Sequence, residues 1–138
     1  MLKVICQSTK RIDIIESSCA KYVSETVEEL TVGQIYPVYG QCLIEGCLLY
    51  LLDPPTRDGS TRPHWYPAAL FAVKDTQLPV SWMFMQYRQF DFSGIVTAVW
   101  GYKELVTSAK HFSGVIERDP QALEEFRKNK AQIEDDSQ

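Results

Sequence analysis

Apolar and polar positions change rhythm twice along the chain. The opening "LKVIC" is apolar and β-branched over five residues and predicts a short strand. From 10 to 30 the pattern loosens. Ile12, Ile15 and Cys19 keep a weak helical spacing, which predicts an irregular stretch with a helical turn. Between 30 and 55, "LTVGQIYPVYGQCLIEGCLLYLLDPP" sets β-formers on either side of Glu45 and Gly46, the pattern of two strands joined by a tight turn. Pro37 lies in the first arm, where it would remove a ladder donor. That arm is therefore expected at an edge or at a bulge.

The next segment, "DPPTRDGSTRP", is dense in proline, glycine and polar residues and reads as an exposed loop. "HWYPAALFAV" at 64–73 resumes the sheet, and "KDTQLP" turns. "SWMFMQYRQF" then alternates Trp82, Phe84 and Gln86 against Ser81, Met83, Met85 and Tyr87, as a half-buried strand does. "GIVTAVW" closes the set of five or six strands. After Trp100 the period lengthens, and Tyr102, Leu105, Ala109, Phe112 and Ile116 line one helical face. Gly114 weakens the later part of that helix. Asp119 and Pro120 restart the chain with an N-cap and a first-turn proline, so a second helix is expected with Leu123, Phe126 and Ile133 inward.

The fold these patterns predict is α+β. A small bent antiparallel sheet or SH3-like partial barrel at about 1–100 precedes two C-terminal helices at about 101–134, within a single domain of 1–138. A chain of 138 residues, 45% hydrophobic and 23% charged, is long enough to bury a core without disulfides or a structural metal.

Charge and cysteine usage narrow the function classes. The net charge of −4 and the scattered lysines and arginines lack the basic cluster that phosphate backbones require, so no nucleic-acid partner is expected. "MLKVICQSTKR" turns polar too early for a secretion signal, and "CLLYLL" is too short to span a bilayer. A cytoplasmic location without membrane attachment follows as an expectation. Cys6, Cys19, Cys42 and Cys47 form no CxxC pair, which argues against a metal. Cys42 and Cys47 read as buried free thiols.

Candidate chemistry gathers between Asp53 and Tyr66. His64 has no recognised nucleophile or base arrangement beside it, so the chain is expected to be neither an enzyme nor a cofactor carrier. Trp65 and Tyr66 offer either core packing or a ligand platform. Asp53, Asp58 and Asp75 sit beside proline, glycine or threonine, where aspartate stabilises turns. Asp53, Asp58, His64, Trp65 and Tyr66 are the candidate partner- or ligand-binding residues. The acidic pairs at 28–29 and 124–125 and the run 134–136 read as solvated charge, which also steers a basic partner.

"LTVGQIYPVYG", "WYPAALFAV" followed by Asp75, and "PVSW" together resemble a group of small, largely uncharacterised bacterial SH3-like proteins. That group carries an LT-x-G-x-x-Y-x-VY segment, a WYPA-x-LFEV-x-D strand and a following tryptophan strand. The likeness covers about 30–118, with Ala72 standing where the group has glutamate. Some members lie beside polymorphic toxins as immunity proteins. The resemblance implies a non-enzymatic inhibitor that sequesters a cognate toxin protein, and it transfers no catalytic residue. The other reading from the residues is a small-molecule or peptide-binding module, or an enzyme, using an aromatic cleft near Trp65 and Tyr66 beside the 53–62 loop. Oligomeric state is left open by the sequence.

Overall fold

A computed structural model describes residues 1–88 and 94–137. The strands are β1 (Lys3–Cys6), β2 (Ile35–Pro37), β3 (Gly40–Ile44), β4 (Cys47–Leu52), β5 (His64–Pro67), β6 (Phe71–Asp75), β7 (Met83–Gln86) and β8 (Val96–Gly101). The helices α1 (Lys103–Thr107), α2 (Ala109–Glu117) and α3 (Pro120–Asp136) follow. The class is α+β with the helices last. The strands divide between two antiparallel sheets, ordered β2-β1-β6 and β5-β4-β3-β8-β7, and these do not close into a barrel.

The hairpin of β3 and β4 turns at Glu45 and Gly46, both at positive φ (50° and 81°). Two left-handed residues match the twist of the strands they join. β4 reads as an unbroken apolar run because both of its faces are covered. Leu49 and Leu51 pack into a core with Cys42, Val99, Leu105, Phe112 and Phe126, under the helices. Tyr50 and Leu52 enter a second core with Val4, Tyr36, Tyr66, Leu70 and Phe71, between the larger sheet and the smaller one. One strand thus serves two hydrophobic layers.

Four expectations about strands and helices are corrected. The first arm of the hairpin is not one strand: β2 ends at Pro37 on the edge of the three-stranded sheet, and Val38 and Tyr39, both buried, carry the chain to the other sheet. The segment 64–73 is likewise split. Pro67 ends β5 at the edge of the larger sheet, Ala68–Leu70 make one 3-10 turn, and β6 joins the smaller sheet. β7 is exposed along its length rather than half-buried, and residues 89–90 of that expected strand lie outside the described residues. The helical portion holds three helices rather than two. Ser108 ends α1 and caps α2, its Oγ accepting the His111 N–H at 3.0 Å. The break shifts the helical phase, so Val115 is buried and Ile116 exposed.

Other expectations match the coordinates. Residues 10–30 contain two 3-10 turns, Arg11–Ile14 and Ser18–Tyr22. Asp119 caps α3, accepting the Ala122 N–H at 3.0 Å, with proline in the first turn. Gly114 has a packing reason: a Cβ there would lie 2.7 Å from the Ala122 Cβ, so its absence lets α2 and α3 close together.

The cysteines differ from the sequence reading. Cys47 is not a free thiol but is joined to Cys19, across Cα atoms 5.6 Å apart. Cys6 and Cys42 are free and buried, and burial pushes the Cys42 thiol far above its ordinary range.

Candidate functional site

The five candidate residues of 53–66 do not converge. Asp53 is a latch: its carboxylate accepts the Arg62 N–H at 2.9 Å and the Lys130 ammonium at 2.7 Å, with the Asp53 side chain only 5% exposed. The same ammonium lies 5.4 Å over the Tyr39 ring, and Tyr39 donates its hydroxyl to Glu134 at 2.7 Å. The loop after β4 is thereby tied to α3. Arg127 adds a bond to Thr61 at 3.1 Å, and Arg118 reaches the Pro63 carbonyl.

Asp58 serves its own turn. It accepts the Ser60 N–H at 2.9 Å and the Thr56 hydroxyl at 3.0 Å, and hydrogen bonds from Ser60, then Thr56, hold its carboxyl at about 2. Asp75 does the same for the Gln77 N–H at 3.0 Å. These are the local bonds that aspartate makes beside turn residues.

The aromatic candidates point to opposite sides of the larger sheet, as neighbours on a strand must. Trp65 is buried on the helical side, its ring 5.4 Å from Phe112. Tyr66 is buried on the other side and donates to Glu29 at 2.9 Å. Burial, with the Glu29 charge, raises the Tyr66 hydroxyl well above its ordinary value. His64 is exposed and meets Tyr66 edge-on at 5.0 Å. Desolvation, then the Arg118 charge, lowers its pKa. Trp65 and Tyr66 therefore do not wall a common cleft with the 53–62 loop.

A different set of side chains is brought together by the helices. Glu104 of α1, Ser108, Lys110 and His111 at and within α2, Asp119, and Gln121, Ala122 and Glu125 of α3 line an open cleft of about 320 Å³. Three carboxylates thus share one depression with a single ammonium. His111 forms its floor, 9% exposed, with Nε2 at 2.6 Å from the Tyr102 hydroxyl. Burial, with the Glu104 and Glu125 charges, raises the Tyr102 hydroxyl well above its ordinary value. Desolvation lowers the His111 pKa, with the Glu125 and Glu104 charges opposing. Glu104 Oε2 is buried and makes no hydrogen bond among the described residues.

The lining of this cleft is predominantly acidic, with Glu104, Asp119 and Glu125 against Lys110. A carboxylate oxygen removed from water without a donor is costly. The His111 ring meets the Tyr102 hydroxyl, and the Ser108 Oγ faces the His111 backbone N–H. Among the described residues no group of three or more His, Cys, Asp or Glu side chains is arranged to hold a metal, and no helix is long and apolar enough to cross a membrane.

The sequence reading named Glu125 as steering charge and Asp119 as a cap, and it did not name Glu104 or His111. The available signal was the spacing of Glu104, Ser108 and His111 by four and three residues, which places them on one helical face. The break at Ser108 hides that face from a simple periodicity. The chain matches no protein-family model, no curated protein and no solved structure.

Proposed function

We propose that the chain is a non-enzymatic protein-binding protein, an immunity-type inhibitor that sequesters a bacterial toxin domain in the cytoplasm. The observation that carries this reading is the acidic cleft among the three helices, where Glu104, Asp119 and Glu125 surround an opening. Inhibitors of enzymes that handle anionic substrates face basic active sites, and opposed fields raise the association rate and fix register. The net charge of −4 works in the same direction.

The kinship invoked is with the small SH3-like bacterial proteins resembled by "LTVGQIYPVYG" and "WYPAALFAV". In this proposal the two separate sheets are an opened variant of their barrel. Action in the cytoplasm requires the fold to persist when Cys19 and Cys47 are kept reduced, as thiol pools do in that compartment. The contacts from Lys21 and Tyr22 to Glu45, at 3.3 and 2.8 Å, would then hold the Ser18–Tyr22 turn on the hairpin.

The test is co-expression. The gene adjacent to this one is expressed in a bacterial host lacking both, alone and with this chain. Growth arrest relieved by the chain supports the proposal. A neighbour that is harmless, or whose toxicity the chain leaves unchanged, sinks it.

A further inference from the structure

The segment 7–33 closes on itself before it meets the rest of the fold. Its ends are held together where Gly33 donates its N–H to the Cys6 carbonyl at 2.8 Å and Cys6 donates to the Gln34 carbonyl at 3.0 Å. Further out, the Lys10–Thr26 bridge makes a neck, with the Arg11 N–H on the Glu25 carbonyl at 3.0 Å and the Val27 N–H on the Thr9 carbonyl at 2.7 Å. Beyond that neck lies a strap, 11–25. Among the described residues its backbone hydrogen bonds all close within 10–25, through two 3-10 turns whose bond geometry is poorer than that of an α-helix.

The tip of the strap is fixed to the body at the hairpin. The turn Ser18–Tyr22 lies against β4 and β5, and the Cys19–Cys47 bond joins it to the first residue of β4. Beside that bond, Lys21 and Tyr22 reach Glu45 at 3.3 and 2.8 Å. Ile14 and Ala20 are buried, but Ile12 and Ile15 are 68% and 55% exposed. A segment with few buried apolar side chains and no ladder to either sheet belongs to the low end of local stability. The covalent bond therefore decides whether the strap can leave.

We propose that Cys19–Cys47 is a redox clasp on this strap: a small thiol or dithiol reductant opens the bond, and the reduced strap swings away at its neck as a local unit while both sheets and the three helices stay folded. The two sulfurs are not equivalent. Cys19 is partly exposed, whereas Cys47 is 1% exposed. Exchange begins with attack of a thiolate on the sulfur it can reach, here Cys19. A bond forms between the external sulfur and Cys19, and the bond to Cys47 breaks with its electron pair on Cys47, which takes up a proton. The Ser18 hydroxyl, 3.5 Å from the Cys47 Sγ, is placed to donate to that leaving sulfur. A second thiol of the reductant then attacks the mixed disulfide, releasing Cys19 as a thiol and leaving the reductant as its own disulfide.

In the reduced chain the Glu45 contacts keep the strap docked most of the time. Its excursions uncover Cys47 and the side of β4 and β5 on which the Ser18–Tyr22 turn rests. That surface is presented where thiols are kept reduced, and the oxidised strap withholds it because its tip stays joined to β4.

Limited proteolysis with a lysine- and arginine-specific protease tests this, since Lys21 sits within the strap and Arg127 and Lys128 within α3. Oxidised protein and protein in phosphine reductant are digested side by side at several low urea concentrations, and the cuts are located by mass spectrometry. Cleavage after Lys21 is expected to be faster by about tenfold or more in the reduced protein, with little dependence on urea, because a local opening exposes little surface. Cuts at Arg127 and Lys128 should stay slow and rise with urea. Glu45→Gln should speed the Lys21 cut further in the reduced chain and leave the oxidised one unchanged. After brief treatment with glutathione and an acid quench, the adduct should map to Cys19. Equal rates at Lys21 in the two redox states overturn the proposal, as does a Glu45→Gln variant whose reduced strap is cut no faster. So does a reduced chain cut at Lys21 and in α3 with one urea dependence, or unfolded before urea is added, for the strap then opens only with the whole fold. An adduct on Cys47 overturns the order of attack.

Discussion

Reduction of the Cys19–Cys47 disulfide opens a loop whose ends are 28 residues apart in sequence. The chain-entropy relation for a loop of that length gives about 3.5 kcal/mol, because the reduced unfolded chain regains the freedom that the cross-link denied it. Few contacts offset that loss. The ion pair from Lys21 to Glu45 at 3.3 Å is about half exposed on both sides and so contributes little. The Tyr22 hydroxyl bond to Glu45 at 2.8 Å is present in both redox states. Urea denaturation of the oxidised protein and of the same protein in phosphine reductant reads the difference directly. With a slope of about 1–3 kcal/mol/M, the midpoint should fall by about 1.2–3.5 M. Cys19→Ala/Cys47→Ala should reproduce the reduced midpoint. The reasoning is refuted if the two midpoints coincide, or if thiol titration in denaturant without reductant finds all four cysteines reactive.

Three further outcomes follow from the packing. Phe126→Ala should destabilise by about 3–5 kcal/mol in urea, since the ring is fully buried and lies edge-on to Tyr39 at 5.6 Å and Tyr102 at 6.4 Å; a loss under about 1 kcal/mol would mean that α3 does not pack as described. Lys130→Met should cost about 2–3 kcal/mol, because it leaves the Asp53 carboxylate buried with the Arg62 N–H as its remaining bond, and adding Asp53→Asn should recover part of the loss in a double-mutant cycle. His111 is held below its ordinary value of 6.5 by desolvation, so the unfolded chain takes up that proton more readily than the native one. Stability is then complete above about pH 7 and falls as pH drops through and below 6.5. In a His64→Ala background, which removes the other histidine, His111→Gln should flatten that fall.

The parts of the fold that are local in origin were legible in the sequence. Glu45 and Gly46 mark their turn, and Asp119 with Pro120 marks the start of α3, because each signal is completed by bonds within a few residues. The apolar period after Trp100 announced helix correctly, but it did not show where Ser108 resets the phase, and Ile116 was placed inward for that reason. What the sequence concealed is decided between distant segments. Pro67 ends β5 and Pro37 ends β2, yet a strand interrupted by proline looks the same whether it continues in one sheet or crosses to another. Cys19 meets Cys47 because the Ser18–Tyr22 turn lies against the hairpin, a placement no spacing reveals. The candidate site shows the same division. Asp58 and Asp75 were readable as turn aspartates, whereas Glu104, Asp119 and Glu125 become one cleft only once α2 and α3 close at Gly114 and Ala122.

The central claim is that the cleft of the three helices receives the basic group of a protein partner. The most direct measurement is affinity capture from the native host at low ionic strength, using tagged wild type and Glu104→Gln/Glu125→Gln side by side, with recovered proteins identified by mass spectrometry. The account predicts one protein with a basic surface, stoichiometric with the wild-type chain, released by raised salt and lost from the neutralised variant while that variant keeps the wild-type urea midpoint. Recovery of the same partner in equal amount by both chains, or of no stoichiometric partner by either, would contradict it.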